Sequence, residues 1–281
     1  MAISKGSVFT VTYHDWIAFI KQHPDEESHL WFLLVELSGK SRSKILLSPQ
    51  EELSSTLQQA LETGVRRLLE EHYPPQYYVG HTYFYGRKFF VNPAVLIPRY
   101  DTEVVVEAAI ESLLNHPHPK VLDIGTGSGA IAITIQCEVP NASVRATDIC
   151  QDALFVAKQN ALQHHASIEW IHSDLWETVT GSYDLIISNP PYIDSKENLE
   201  AMVNDYEPHL ALYSPEGGQY HNHQIIKHAK KYLRDQGILI LEIHSEHQEA
   251  LADFAATYFK EVTFRKDHAG RMRVMIARSP L

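Results

Sequence analysis

The sequence predicts an α/β protein: a mostly parallel sheet covered by helices on both faces, with a small helical bundle before it and a β-hairpin between the two. Three observations carry this expectation. From Pro119 onward, short apolar segments alternate with helical patterns. Over residues 12–72 the apolar side chains recur at helical spacing instead. Between these regions lies YYVGHTYFYGRKFFVNP, aromatic and punctuated by glycines.

The elements follow in order. Residues 30–37 are apolar almost all round, as in a helix buried between others, and Gly39 supplies a C-terminal stop. Leu53, Leu57, Leu61, Val65 and Leu68 mark an amphipathic helix that Pro74-Pro75 should end. Residues 77–93 read as the hairpin. Strands are then expected at 120–124, 143–148, 168–172, 183–188, 237–243, 261–265 and 273–277. Helices are expected at 129–137, 151–164, 224–234 and 246–258. The domain boundaries are accordingly 1–76 for the helical part, 77–94 for the linking hairpin and 95–281 for the sheet. Such sheets bind ligands beyond the carboxyl ends of their strands, where the strand order switches.

With 281 residues, 44% hydrophobic and 21% charged, the chain has the composition of a globular protein. No apolar run approaches the roughly 18–20 residues that cross a bilayer. MAISKGSVFT lacks the apolar core of a secretory leader, so a cytoplasmic location and no membrane association are expected. Cys137 and Cys150 read as free thiols. The 17 histidines are scattered without ligand spacing, and no metal is expected. The net charge of −11 disfavours direct nucleic-acid binding. Lys227, Lys230, Lys231 and Arg234 share a helical face by spacing, more in keeping with a solvated face than with a binding patch.

VLDIGTGSGAIAI places Gly125, Gly127 and Gly129 between the first sheet strand and a helix. Glycines there admit positive φ and let a ligand lie against bare backbone. The pattern is D-x-G-x-G-x-G rather than the pyrophosphate-binding G-x-G-x-x-G. A carboxylate from Asp123 at the mouth of the loop would suit an amine-bearing or cationic ligand. Asp148, nineteen residues after Gly129, ends the second strand, where a carboxylate can accept both hydroxyls of a ribose. Asp174 could meet an adenine amino group and Trp176 could cover the adenine face; helix capping and core packing are the other readings, with more weight against Trp176 than against Asp174.

Together these residues describe a pocket for an adenosine carrying an amino-acid tail with a positive centre. The arrangement resembles the S-adenosylmethionine-dependent methyltransferases of the seven-stranded Rossmann-like class, over roughly residues 95–281. The resemblance implies S-adenosyl-L-methionine as cofactor, held by Asp123, Gly125, Thr126, Gly127, Ser128, Gly129, Asp148, Asp174, Trp176 and Asn189.

SNPPYID, residues 188–194, then suggests the acceptor. A planar conjugated NH2 is a poor nucleophile and must be held in line with the methyl group. The Asn189 side-chain oxygen and the Pro190 carbonyl are two converging hydrogen-bond acceptors that would orient such a nitrogen and stabilise its developing positive charge. Pro190 and Pro191 stiffen the backbone and bring no competing N–H. The Tyr192 ring can lie against the planar group or near the sulfonium. Asn189, Pro190 and Tyr192 are the catalytic candidates, and with Pro191 they form the substrate-binding set.

GHTYFYGRKFFVNPAVLIPRYDTEVVVE, NPPYI, YEPHLAL and AGRMRV resemble the bacterial peptide chain release factor glutamine methyltransferases, the HemK/PrmC family, over nearly the whole chain. The resemblance implies N5-methylation of the glutamine in the Gly-Gly-Gln loop of release factors, the helical domain helping to hold the partner. Two stretches depart from the family. Tyr100 stands where proline is usual, and SPEGGQY lacks the usual Asp-Gly-Leu, so Arg99 and residues 214–220 receive no role. Thr102 or Asp101 is expected to cap the next helix. The alternatives are a ribosomal-protein glutamine methyltransferase, a nucleic-acid exocyclic-amine methyltransferase and a non-catalytic cofactor-binding scaffold.

Overall fold

The computed structural model describes residues 11–281, so MAISKGSVFT lies outside the described residues. The chain forms two compact units, Met1–Val79 and Gly80–Leu281.

In the first unit, Thr12 caps the helix Tyr13–Lys21 reciprocally with Asp15. The apolar run falls in the helix Glu27–Ser38, which buries Leu30, Leu33 and Leu34 and stops on Gly39 at φ 66°. The amphipathic repeat forms the helix Ser55–Glu71, which buries Leu61, Val65 and Leu68, while Leu53 lies just outside it. Pro74-Pro75 does not end this helix. It stops on His72, whose φ is 54°, and Pro75 instead opens a short helix, Pro75–Val79. Proline suits a first helical turn, where an N–H would have no partner. Tyr77 and Tyr78 therefore belong to a helix and not to the hairpin.

The hairpin of the second unit is β1 (His81–Phe84) and β2 (Arg87–Phe90). The sheet contains β3 (Lys120–Ile124), β4 (Ser143–Asp148), β5 (Ile168–His172), β6 (Tyr183–Ser188), β7 (Leu233–Glu242), β8 (Phe259–Lys266) and β9 (Met272–Pro280). Its order is β5-β4-β3-β6-β7-β9-β8, parallel except that β9 runs antiparallel to both neighbours. Side chains of one strand alternate between two cores. Val121, Leu185, Ile187 and Ile240 enter one core, whereas Leu122, Ile186, Leu239 and Leu241 enter the other. Both faces are buried, which is why these strands read as continuous apolar runs.

One helix departs from expectation. The segment expected at 224–234 is the helix Tyr220–Ala229, and Leu233 already belongs to β7. The Tyr183 N–H donates to the Tyr232 carbonyl at 2.7 Å and Leu233 pairs with Tyr183, so sheet pairing draws the chain out of the helix. Lys227, Lys230, Lys231 and Arg234 therefore share no helical face. Lys230 donates to the Leu281 carbonyl, and Arg234 pairs with Asp184 at 2.8 Å.

Candidate active site

The sheet order switches between β3 and β6. The chain leaves β3 toward β4 and β5 on one side, then returns to place β6 on the other. Ile124 and Ser188 are register partners at the carboxyl ends of these strands. The glycine loop after Ile124 and the Asn-Pro-Pro-Tyr corner after Ser188 are thus neighbours, although 64 residues separate the two strand ends. The same register sets Ser188 beside Leu241 of β7, so Glu242 is level with Asn189.

Within the loop, Gly125 and Gly127 have φ of 70° and 55°, and a Cβ on either would meet nothing within 4 Å. Their backbone borders open space. Gly129, at φ 82°, is needed for a different reason: a Cβ there would lie 2.8 Å from Ile133 Cδ1 and 3.2 Å from Ala157 Cβ. Gly129 permits the helix Ala130–Glu138 to pack closely behind the loop. The buried Asn160 donates to the Ser128 carbonyl at 2.8 Å and also holds both backbone groups of Phe90. It therefore ties the loop to β2.

Asp123 does not stand at the mouth as expected from sequence. It is fully buried beneath the loop, where the Thr126 hydroxyl donates to its Oδ2 at 2.6 Å. Burial pushes its carboxyl up to about 7, against the pull of Thr126. Thr126 and Ser128 are themselves buried, and the Thr126 N–H donates to the Thr147 carbonyl at 2.9 Å while its carbonyl accepts from the Gly129 N–H at 2.9 Å, so these bonds brace the loop from within. Asp148 ends β4 and accepts from the Gly127 N–H at 2.8 Å and from the Cys150 N–H at 2.9 Å. Burial raises its pKa, and those two donors oppose the shift. Each oxygen retains a further lone pair.

Asp174 is exposed. Trp176 stacks on Tyr232 with ring centroids 4.7 Å apart and donates its indole N–H to the Gln224 carbonyl. Packing accounts for Trp176, and the adenine-covering expectation finds no geometric support in that stack.

At the second loop, Asn189 is half-buried and Pro190 is buried. Asn189 Nδ2 donates to Thr102 Oγ1 at 3.2 Å, and Thr102 Oγ1 donates to Glu242 Oε2 at 2.6 Å. The Tyr192 hydroxyl donates to Glu242 Oε1 at 3.2 Å. Burial raises the Tyr192 pKa, and the Glu242 charge adds to the shift. Glu242 is also buried, which lifts its carboxyl to about 7 against the pull of Thr102 and Arg273. Asn189, Tyr192, Arg99, Glu242, Leu96 and Leu212 border a cavity of about 100 Å³. A wider, open hollow of about 400 Å³ includes Leu233, at the opposite end of β7 from this corner.

Neither Thr102 nor Asp101 caps the helix Tyr100–Leu113. Arg99 occupies the cap position, and its side chain makes no capping bond. The Thr102 hydroxyl is committed to Glu242, and Asp101 pairs with Arg273 at 3.1 Å. Arg99 pairs with the buried Glu207, whose other oxygen accepts from the Ile97 N–H at 3.1 Å. Gly218, at φ 85°, lies so close to the corner that a Cβ would strike the Tyr192 carbonyl oxygen and approach the His247 ring to 2.9 Å. Residues 214–220 therefore back the Asn-Pro-Pro-Tyr corner.

Sequence reasoning misses Glu242, Asn160 and Glu207. A lone carboxylate closing the apolar run GILILE is the available signal for Glu242. Among the described residues no group of three or more His, Cys, Asp or Glu is placed to hold a metal, and no helix is long and apolar enough to cross a membrane.

This strand order, with a glycine-rich turn after β3 and an acid closing β4, defines a Rossmann-like methyltransferase fold. Residues 103–211 match the methyltransferase small domain and residues 12–80 the PrmC N-terminal domain. The release factor glutamine methyltransferase of Enterococcus faecalis is 35% identical over 265 residues, covering 92% of this chain and 95% of that one. The chain belongs to the release factor glutamine methyltransferase family. A bifunctional methyltransferase of Rickettsia typhi is 38% identical over 258 residues, and the chain spans about half its length, 49%. A methyltransferase structure from Pyrococcus furiosus shares the fold at TM-score 0.52 and 16% identity, covering 81% of this chain and 100% of that one.

Proposed function

We propose that the chain transfers a methyl group from S-adenosylmethionine to the side-chain amide nitrogen of the glutamine in the Gly-Gly-Gln loop of peptide chain release factors. One observation carries the reading: the Asn-Pro-Pro-Tyr corner and the open glycine loop adjoin at the topological switch, with a small cavity at the corner.

The residues present fit the cofactor. Gly125 and Gly127 leave bare backbone toward open space, as an amino-acid tail requires. Asp148 sits beside that loop with acceptor capacity for ribose hydroxyls. Bound there, the cofactor supplies an electrophilic methyl carbon.

The chain's own residues orient the acceptor. Asn189 Oδ1 and the Pro190 carbonyl accept the two N–H groups of the glutamine amide, which turns the nitrogen toward the methyl carbon. Methyl transfer would leave that nitrogen with a positive charge, and it would then give a proton to water. Tyr192, held by Glu242, walls the cavity against competing solvent. Release factors are the proposed partners, with the helical unit contributing to their binding, in the cytoplasm.

The test uses labelled methyl donor and three acceptors: release factor, ribosomal protein, and DNA or RNA. Label on release factor, lost when the loop glutamine is changed, is the expected result. Label confined to ribosomal protein or nucleic acid, or no label at all, overturns the reading.

A further inference from the structure

We propose that Thr102 and Glu242 are positioning residues: a relay from Glu242 through the Thr102 hydroxyl fixes the rotation of the Asn189 amide, so that its oxygen faces the acceptor. The inference rests on the acceptor role given to Asn189 above. It concerns residues to which that reading gives no bond to the acceptor or to the methyl donor, Glu242 only bordering the cavity.

The relay follows from counting protons. The Thr102 hydroxyl has one proton and donates it to Glu242 Oε2 at 2.6 Å. An ionised carboxylate only accepts, so the direction of this bond is fixed. Thr102 Oγ1 can then only accept from Asn189, which requires Asn189 to offer Nδ2, at 3.2 Å. Asn189 Oδ1 is left for another donor. With Glu242 protonated the constraint disappears. The carboxyl can donate to Thr102, Thr102 can donate to the amide oxygen, and the amide can turn its NH2 toward the cleft. Two NH2 groups would then face each other.

Several groups set the charge of Glu242. Arg273 of β9 lies near it and is itself paired with Asp101, on the helix that carries Thr102, and with Asp267. The Tyr192 hydroxyl holds Oε1, and Arg99 borders the same cavity. His244 follows β7, with its ring 6.0 Å from that of Tyr192. Burial dominates, placing the Glu242 titration at about 7. The relay is therefore engaged above that pH and released below it.

The experiment compares wild type with Thr102→Val, Thr102→Ser and Glu242→Gln. In Thr102→Val, kcat/KM for release factor should fall on the order of 10–100-fold with cofactor Kd unchanged. Thr102→Ser, which keeps the hydroxyl, should recover to within a few-fold of wild type. The wild-type kcat/KM should fall as pH drops through about 7, and Glu242→Gln should lack that limb. A second readout needs no methyl transfer. The Asn189 side-chain NH2 resonances, identified by their loss in Asn189→Ala, should titrate in wild type and not in Glu242→Gln. Equal activity of Thr102→Val and wild type, an acidic limb unchanged in Glu242→Gln, or NH2 resonances that do not titrate would each overturn the relay. If wild type labels no release factor, the acceptor assignment fails, and the resonance titration still decides the relay.

Discussion

The Ser188 hydroxyl donates to the Ile124 carbonyl at 2.6 Å, joining the last residue of β6 to the last residue of β3. Each is followed at once by a site loop, so this buried bond holds the two loops side by side. Ser188→Ala leaves a buried carbonyl short of a partner. It should cost about 1–2 kcal/mol of stability, measured by chemical unfolding. An unchanged unfolding midpoint would show that the ladder holds the loops without it.

Gly127 and Gly129 should separate binding from folding. Gly129→Ala meets Ile133 and Ala157 as well as an unfavourable φ, and should destabilise by at least about 2 kcal/mol. Gly127→Ala meets open space, so only the φ strain of about 1 kcal/mol applies. Its added methyl would cover backbone proposed above to face the cofactor, and titration calorimetry should show weakened binding. Equal destabilisation by both substitutions would contradict the distinction.

Asp148→Ala and Asn189→Ala should divide similarly. The first should weaken cofactor binding by about tenfold or more, through the lost ribose acceptors and the freed Gly127 N–H. The second should lower kcat while leaving cofactor Kd nearly intact. Parallel loss of both quantities in both variants would refute the division.

Gly218→Ala pushes on the Tyr192 carbonyl and the His247 ring. A displacement of the corner by a fraction of an ångström should reduce kcat about tenfold or more without changing cofactor Kd. Wild-type turnover in this variant would show that residues 214–220 yield instead of the corner.

Asp123 gives stability a pH dependence of unusual sign. Its folded pKa of about 7 lies above the unfolded value of 3.8, so between those limits the native state holds a proton that the unfolded chain has released. Its contribution is fully present below the unfolded value and is lost as pH rises through about 7. Asp123→Asn keeps an acceptor for Thr126 and does not titrate. The stability difference should therefore move in favour of the variant between about pH 4 and 7, by a few kcal/mol. Unfolding curves that stay parallel across that range would rule this out.

Much of the fold is legible in the sequence because strand and helix periods differ and because buried parallel strands leave uninterrupted apolar runs. The segments 120–124, 143–148, 168–172 and 183–188 coincide with β3 to β6. The helix expected at 224–234 ends early because local spacing continues past Ala229, whereas pairing of Leu233 with Tyr183 is a long-range event. Pro74-Pro75 is ambiguous because proline both ends helices and begins them.

The local devices are legible in the amino-acid order alone: a glycine turn after a strand, an acid closing the next strand, and a rigid asparagine-proline corner. These are encoded by neighbouring residues whose backbone preferences need no tertiary context. Which of these devices meet, and which way their polar groups face, follows from the packing of distant segments. Sheet register brings Glu242 level with Asn189, and the packing of the helix Tyr100–Leu113 adds Thr102. Burial likewise withdrew Asp123 from the cleft, and the half-buried Trp176 is engaged in its stack on Tyr232. Hydrogen-bond direction and burial depend on partners far away in the chain, and no local pattern records them.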